Sequence, residues 1–567
     1  MKLKSIYKER PWLNFYPPGV APEIEVPVKS VGEAFDEATE KWGDKTAIIF
    51  YGKKISYREL REKVDRFATA LSCLGIKKGD RVALLLLNSP EHVIAFLGAV
   101  KLGAVTTPIS PVYVSVEIKH QLEDSGAETI ICQDMLYDGV EKTGVEIKNV
   151  ILTNIAESLP VLKKFVGKSV LGAVYETLAA PSPDIFKRKG IYQFQELIKE
   201  HLPSPPRVEI SPKEDLLTLP YTGGTTGLPK GVMITHYNVI ASLTQFHAFY
   251  SFLEEGKEVL LGYMPFYHIA GLVLGMLDAI LWGGTLLPIT TPNLDDILHV
   301  IANNKVTFIG GAPTIYELLK DYEKTDRVNW KRLKILISGA DVLNEFTAKD
   351  WKTRTGVELH DTYGLTESAG MTHASPLGGY RIGSPGIPLP NIMAAVVDPD
   401  KDEFLPLGEI GELVLQGPNM NQGYLNDQKA TRECEAMIDG ERWYRTGDLV
   451  RMDKDGYFYI YDRKRDLIKY KGLRVYAREV EEAIKSHPKV KEVGVIGVPD
   501  RMVGENVKAF VVLEADARGQ LSEVEIAEYC QDKLAHYKIP KIIEFVGEIS
   551  KTDVGKVSRR DLREMEV

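Results

Sequence analysis

The sequence predicts a mixed α/β protein: a large N-terminal domain of layered α/β sheets with a β-rich subdomain, then a small α+β C-terminal domain. Three observations predict this. Helix-period and strand-period segments alternate from residue 56 to about residue 337, a pattern that favours parallel strands layered with helices. From residue 394 the texture shifts to short strands and tight turns. Beyond a charged run at 462–466, the chain resumes a self-contained αβ rhythm. A length of 567 residues exceeds one ordinary domain and leaves room for this division. The expected units are residues 1–461 (with the β-rich part at 394–461), a hinge at 462–466, and residues 467–567.

The elements follow in order. Ser56 and Glu59 form a capping box, and Leu60, Val64, Phe67 and Leu71 then recur at helical spacing. Residues 81–87 read as a short buried strand, followed by a helix from Ser89 with Pro90 in its first turn, and a strand at 105–109. A helix from Ser115 leads to a strand at 129–132, and the alternation resumes through 294–308 and 315–337. Short strands are expected at 408–415 and 458–461, the second after a turn at 453–457. The C-terminal unit reads as helix 479–486, strands 490–498 and 507–513, and helix 524–535.

Composition narrows the function. A hydrophobic fraction of 44% supplies an ample core, and a net charge of −9 argues against nucleic-acid binding, which favours a basic surface. Cys73, Cys132, Cys434 and Cys530 are dispersed and form no metal-like pair, as in a reduced, cytoplasmic protein. Residues 1–27 lack an apolar signal core, and the apolar run 269–282 is too short to span a bilayer and contains Asp278.

Chemistry concentrates at 221–231. Tyr221, Thr222, Thr225 and Thr226 offer hydroxyls, and Gly223, Gly224 and Gly227 let backbone N–H groups turn toward an anion. Lys230 adds a point charge, so the loop suits a polyphosphate. It is not a Walker loop, because Leu228 and Pro229 separate Gly227 from Lys230 and oppose helix entry. Further along, 361–367 groups Tyr363, Gly364, Thr366 and Glu367: an aromatic that can stack on a base, and a carboxylate that can ligate Mg²⁺ beside phosphate. Asp448 offers a carboxylate to a ribose, and Lys556 lies in a Gly-containing loop. His268 precedes an apolar run at what reads as a pocket mouth. Taken alone, each of the last three reads first as a structural feature: a turn with an acidic residue, a solvated lysine and a satisfied histidine.

In this order, over residues 30–562, these motifs resemble the adenylate-forming superfamily: acyl-CoA synthetases, luciferases and nonribosomal-peptide adenylation domains. The resemblance implies ATP, CoA and a carboxylic acid as substrates, with Mg²⁺. It implies that 222–230 holds the ATP phosphates, with Thr226 and Glu367 toward the metal. Tyr363, Gly364 and Thr366 would meet the nucleotide, and Asp448 and Arg463 its ribose. Arg465 takes the hinge position, Lys556 drives adenylation, and Lys469 and Gly472 serve the CoA half-reaction after the mobile C-terminal domain rotates. Two departures stand out: Arg465 replaces the usual Lys or Asp, and Ser550 a common proline.

The acid is less constrained. No aspartate follows the aromatic in the His268 segment, which disfavours an amino acid. His268, Gly271, Gly311 and Ala312 are the expected acyl pocket, most like that of the long- and medium-chain fatty-acid–CoA ligases, although their small residues suit tight helix packing equally. A short, hydroxylated or aryl acid, a carrier protein as acceptor, and a non-catalytic nucleotide sensor remain alternatives. Residues 159–189 form a basic amphipathic stretch that fits either an anionic membrane surface or a helix packed on the body.

Overall fold

The computed structural model describes residues 4–160, 182–222, 228–290, 293–471, 473–517, 519–551 and 557–566. Four substantial sheets organise them. The first has seven strands in the order Ile234–Thr235, Leu216–Thr218, Val105–Pro108, Arg81–Leu85, Thr129–Gln133, Asn149–Thr153 and Ile191–Gln193. All its pairings are parallel except that of the first two strands. The second has nine strands and is parallel through its centre, from His360–Leu365 across Ile335–Ser338, Phe308–Gly311, Val259–Gly262 and Thr285–Pro288 to Thr46–Phe50. Antiparallel strands close both of its edges.

Helices fill the space between these sheets. Pro90–Lys101 is buried at every position except Lys101, as its nearly unbroken apolar sequence requires. It packs with Val31–Trp42 and Tyr57–Cys73 in one hydrophobic cluster that extends to His236–Phe249. Both predicted N-termini hold. Ser56 and Glu59 exchange capping bonds, and the Ser89 hydroxyl accepts from the His92 amide at 3.3 Å. The third sheet, five-stranded and antiparallel, joins Met393–Val397, Ile410–Gln416, Glu435–Ile438, Glu441–Met452 and Phe458–Arg463. The fourth, also five-stranded, belongs wholly to the C-terminal part and covers its own clusters with Ala477–Lys485 and Glu523–Gln531 on one side. The fold is therefore mixed α/β with layered sheets.

Several boundaries moved, among them the strand expected at 507–513, which begins at Gly504, and that expected at 490–498, which runs to Asp500. Phe458–Arg463 runs two residues past the expected strand end at 461, because Asp462 pairs with Leu449 and Arg463 with Asp448. The helix expected from 479 begins at Ala477. The one expected through 535 stops at Gln531, where the Lys533 and Leu534 amides both turn back to the Cys530 carbonyl.

Candidate functional site

The segment 221–231 is a hairpin. Tyr221–Thr222 pairs antiparallel with Lys230–Gly231, so both ends of the Gly/Thr loop are fixed side by side. Gly223, Gly224, Thr225, Thr226 and Gly227 lie outside the described residues. Three side chains anchor the hairpin base. The Tyr221 hydroxyl donates to Asp124 at 2.7 Å, and burial together with that carboxylate raises its pKa. His120 meets the Pro229 carbonyl at 2.8 Å, and Lys230 pairs with Asp427 at 2.9 Å. Asp124 and His120 share the helix Ser115–Ser125, which grips the hairpin from one side. Sequence reasoning missed both, since no motif links them to a loop a hundred residues later.

A second constellation comes from crossing strands. Tyr363 lies in His360–Leu365 and Asp448 in Glu441–Met452, and the Tyr363 hydroxyl donates to Asp448 Oδ2 at 2.5 Å. Arg463 Nε reaches Asp448 Oδ1 at 2.7 Å, across the ladder in which the two residues are directly paired. Asp448 raises the Arg463 pKa further, and burial holds the Tyr363 phenol well above its usual range. Three predicted residues, 100 positions apart from first to last, thus meet on one buried carboxylate, with the Arg463 side chain partly exposed.

Gly364 earns its place by close approach, since a Cβ there would collide with the Gly370 carbonyl. Thr366 and Glu367 open the 3-10 turn Thr366–Ser368. Glu367 is half-buried and accepts from the Tyr424 hydroxyl at 2.7 Å, and Tyr424 in turn meets Tyr444 at 3.2 Å. Among the described residues, no group of three or more His, Cys, Asp or Glu side chains could hold a metal ion. A lone carboxylate fits Mg²⁺ carried in by a nucleotide, because that ion keeps waters and phosphate oxygens as most of its ligands.

Asp361 was not singled out from sequence. Fully buried, it accepts the Thr362 amide at 3.1 Å, and desolvation pushes its pKa up to about 8.

His268 is half-buried and accepts the Ala270 amide at 3.3 Å on Nδ1, just ahead of a π-helix, Gly271–Leu277. Such helices are rare and recur at functional sites. The missing side chain at Gly271 admits the Pro265 carbonyl, and that at Gly311 admits the Tyr263 hydroxyl. Ala312 caps the helix Pro313–Asp321. Gly275 is buried in the π-helix, yet nothing outside its own helix lies within 4 Å of where its Cβ would stand.

Toward the C-terminus, Arg465 is exposed in the 3-10 turn Lys464–Asp466. Lys469 is exposed, and its amide donates to Glu505 at 2.7 Å. Gly472 and Lys556 lie outside the described residues, as does most of the basic amphipathic stretch, residues 161–181. Of its described end, Lys187 pairs with Asp184 and Arg188 with Glu141, both at 2.6 Å. No described helix is long and apolar enough to cross a membrane.

Layered α/β sheets carrying a tethered Gly/Thr hairpin, with Tyr363 and Arg463 meeting on the buried Asp448 carboxylate, are the setting of an α/β enzyme. The family model described as AMP-binding enzyme matches residues 35–425, and that of the AMP-binding enzyme C-terminal domain matches residues 479–556. The chain belongs to the AMP-binding enzyme family. It is 35% identical over 566 residues to a long-chain-fatty-acid–CoA ligase of Bacillus subtilis (strain 168), covering 98% of each chain. A probable 4-coumarate–CoA ligase 1 of Dictyostelium discoideum is 30% identical, with 96% of each covered. Among solved structures, ATP-bound MatB from Rhodopseudomonas palustris superimposes with a TM-score of 0.80 at 28% identity, covering 95% of this chain and 99% of that one. Apo MatB, at the same identity and coverage, gives 0.70.

Proposed function

We propose that this acyl-CoA ligase of the AMP-binding enzyme family takes a long-chain fatty acid as its acid. The acid carboxylate attacks the α-phosphorus of ATP and displaces pyrophosphate. The CoA thiolate then attacks the acyl carbon and displaces AMP, leaving the thioester.

The Tyr363–Asp448–Arg463 contact carries the nucleotide reading. Arg463 and the Tyr363 hydroxyl fix the Asp448 carboxylate with lone pairs left for two ribose hydroxyls, and the Tyr363 ring offers a face to the base. The hairpin, tethered by Asp124, His120 and Asp427, presents Thr222 and Lys230 to the β- and γ-phosphates. Glu367, oriented by Tyr424, would hold Mg²⁺ with the phosphates, and Thr226 would lie on the same side. That ion supplies charge neutralisation. Lys556 adds the cation that lets two anions approach. In the second step the C-terminal body, 467–567, turns about Arg465 and brings Lys469 and Gly472 to the acyl carbon instead.

The fatty-acid assignment is supported by the names of the full-length relatives and by the space beside Gly275. The 4-coumarate–CoA ligase relative and a superimposable anthranilate–CoA ligase, AuaEII, favour an aryl acid as the second reading. A panel of C2 to C18 and aryl acids in ATP–pyrophosphate exchange, followed by CoA trapping, decides between them. A maximum at C12 or longer is expected, and a maximum among aryl acids discards the fatty acid. Exchange independent of any carboxylate would discard the ligase.

A further inference from the structure

A charged network straddles the passage from the third sheet into the fourth. Arg559, on the last helix Arg559–Glu564, is largely buried and meets three carboxylates. Its Nη2 and Nε reach Glu481 at 2.7 and 3.1 Å, and its Nη1 reaches both Asp466 and Asp462 at 3.1 Å. Asp466 also accepts from Arg563 at 2.7 Å, and Glu481 accepts the Val495 amide at 2.8 Å. The remaining oxygen of Asp462 accepts the Arg478 amide at 3.1 Å, in the first turn of Ala477–Lys485. Asp462 is thus a buried helix cap and an ion-pair partner at once.

These groups do not all move together. Glu481, Asp466, Arg563 and Arg478 follow Arg465 in the chain and belong to the C-terminal body. Asp462 precedes it and is held in the third sheet by its pairing with Leu449. A turn about Arg465 therefore carries Arg559 away with Glu481 and Asp466 and strips Asp462 of Arg559 and the Arg478 amide, while its bond from the Arg463 amide at 2.8 Å stays. The other charge pairs across this passage among the described residues, Arg474 with Asp400 at 2.9 Å and with Asp398 at 3.9 Å, are more solvent-accessible and correspondingly weak. Asp462 is the buried part of the contact. The arrangement seen here also superimposes better on MatB with ATP, at 0.80, than on MatB without it, at 0.70.

We infer that Asp462 and Arg559 are positioning residues for the first half-reaction: their ion pair, with the Arg478 cap, holds the C-terminal body where Lys556 meets ATP. Arg559 follows Lys556 by three residues in the chain. Releasing Asp462 accompanies the turn toward thioester formation. This rests on the two-step reading given above, with Lys556 as the adenylating cation.

Arg559 itself is a poor target, since its loss would leave the buried carboxylates of Asp462 and Glu481 without a cation, Asp466 alone keeping Arg563, and would destabilise the C-terminal body. Asp462→Asn keeps the shape and an oxygen for the Arg478 amide, whereas Asp462→Ala removes both contacts. In the full-length chain, carboxylate-dependent ATP–pyrophosphate exchange is expected to fall about fivefold for Asp462→Asn and about fiftyfold for Asp462→Ala. Thioester formation from supplied acyl-AMP and CoA should stay at or above the wild-type rate, which also reports that both bodies are folded. Equal loss of both half-reactions, loss of neither, or loss confined to the thioester step each overturns the inference. Lys556→Ala, assayed in parallel, tests the underlying reading separately: exchange that survives it removes the role of Lys556, whatever Asp462 does.

Discussion

Asp448 accepts from Tyr363 at 2.5 Å and from Arg463 at 2.7 Å, and these bonds aim it at one place. Replacing it with Asn keeps the volume but removes the charge that both partners serve. Asp448→Asn should raise the KM for ATP by about tenfold to a hundredfold, with a smaller effect on the acid, in exchange assays titrated separately in each substrate. An unchanged KM for ATP would take Asp448 out of the nucleotide site. Asp361 offers a pH test. Its buried carboxyl titrates at about 8, far above an unfolded aspartate, so between those values the folded chain holds a proton that the unfolded chain has released. The stability tied to that proton is complete at acid pH and declines as pH rises toward 8, by up to about 1.4 kcal/mol per unit. Asp361→Asn should therefore flatten the decline of Tm between pH 5 and 8; an unaltered slope would mean the carboxyl is ionised throughout. At this scale the sequence pointed to Tyr363, Glu367 and Asp448 by residue type and to Arg463 by resemblance, and the fold brings Tyr363, Asp448 and Arg463 into contact. Asp124, His120 and Tyr424 were not legible, because they act through tertiary contacts that no local spacing encodes.

The π-helix Gly271–Leu277 separates two uses of glycine within one element. At Gly271 the absent side chain lets the Pro265 carbonyl approach, so Gly271→Ala forces a backbone shift and should cost about 1–3 kcal/mol, read as a lower Tm. At Gly275 the same change meets open space, and Ala is the better helix former by roughly 1 kcal/mol, so Tm should hold or rise. If that space receives the alkyl chain, Gly275→Leu should move the preferred acid to shorter chains. Each methylene excluded would cost about 0.8 kcal/mol, or roughly fourfold in exchange rate. A chain-length profile that Gly275→Leu leaves unmoved would place the tunnel elsewhere. Sequence periodicity located this apolar run but not its π geometry, because a one-residue widening of the helix leaves the apolar pattern intact. Where local chemistry was explicit, as in the capping box at Ser56 and Glu59, the boundary was read correctly. Where it was set by pairing, as at Arg463, the boundary moved by two residues.

Across the whole molecule, the division near residue 462 is one of packing as much as of sequence. The large clusters of the N-terminal part end at Ile460, and those of the C-terminal part begin at Ile468. Among the described residues, no hydrophobic cluster joins the two sides. What crosses is mostly polar: Asp462 with Arg559 and the Arg478 amide, and Arg474 with Asp400 and Asp398, beside a tilted ring contact of Tyr461 with Tyr476 at 6.0 Å. Bodies joined by a polar, ion-paired contact are expected to move relative to one another, whereas a shared apolar core would lock them. The C-terminal body also has its own five-stranded sheet, with helices over it and a closed core of Ile468, Val480, Ile484, Val495, Val511 and Ile526. Residues 467–567 expressed alone should therefore fold cooperatively, with a sigmoidal thermal transition by circular dichroism. Residues 1–466 should keep ATP binding, measured by calorimetry, because Tyr363, Asp448, Arg463 and the hairpin all lie on that side. They should lose carboxylate-dependent exchange, because Lys556 does not. A gradual, non-cooperative melt of 467–567 would show that its core depends on the larger part. Exchange retained by 1–466 alone would show that adenylation needs nothing beyond the hinge.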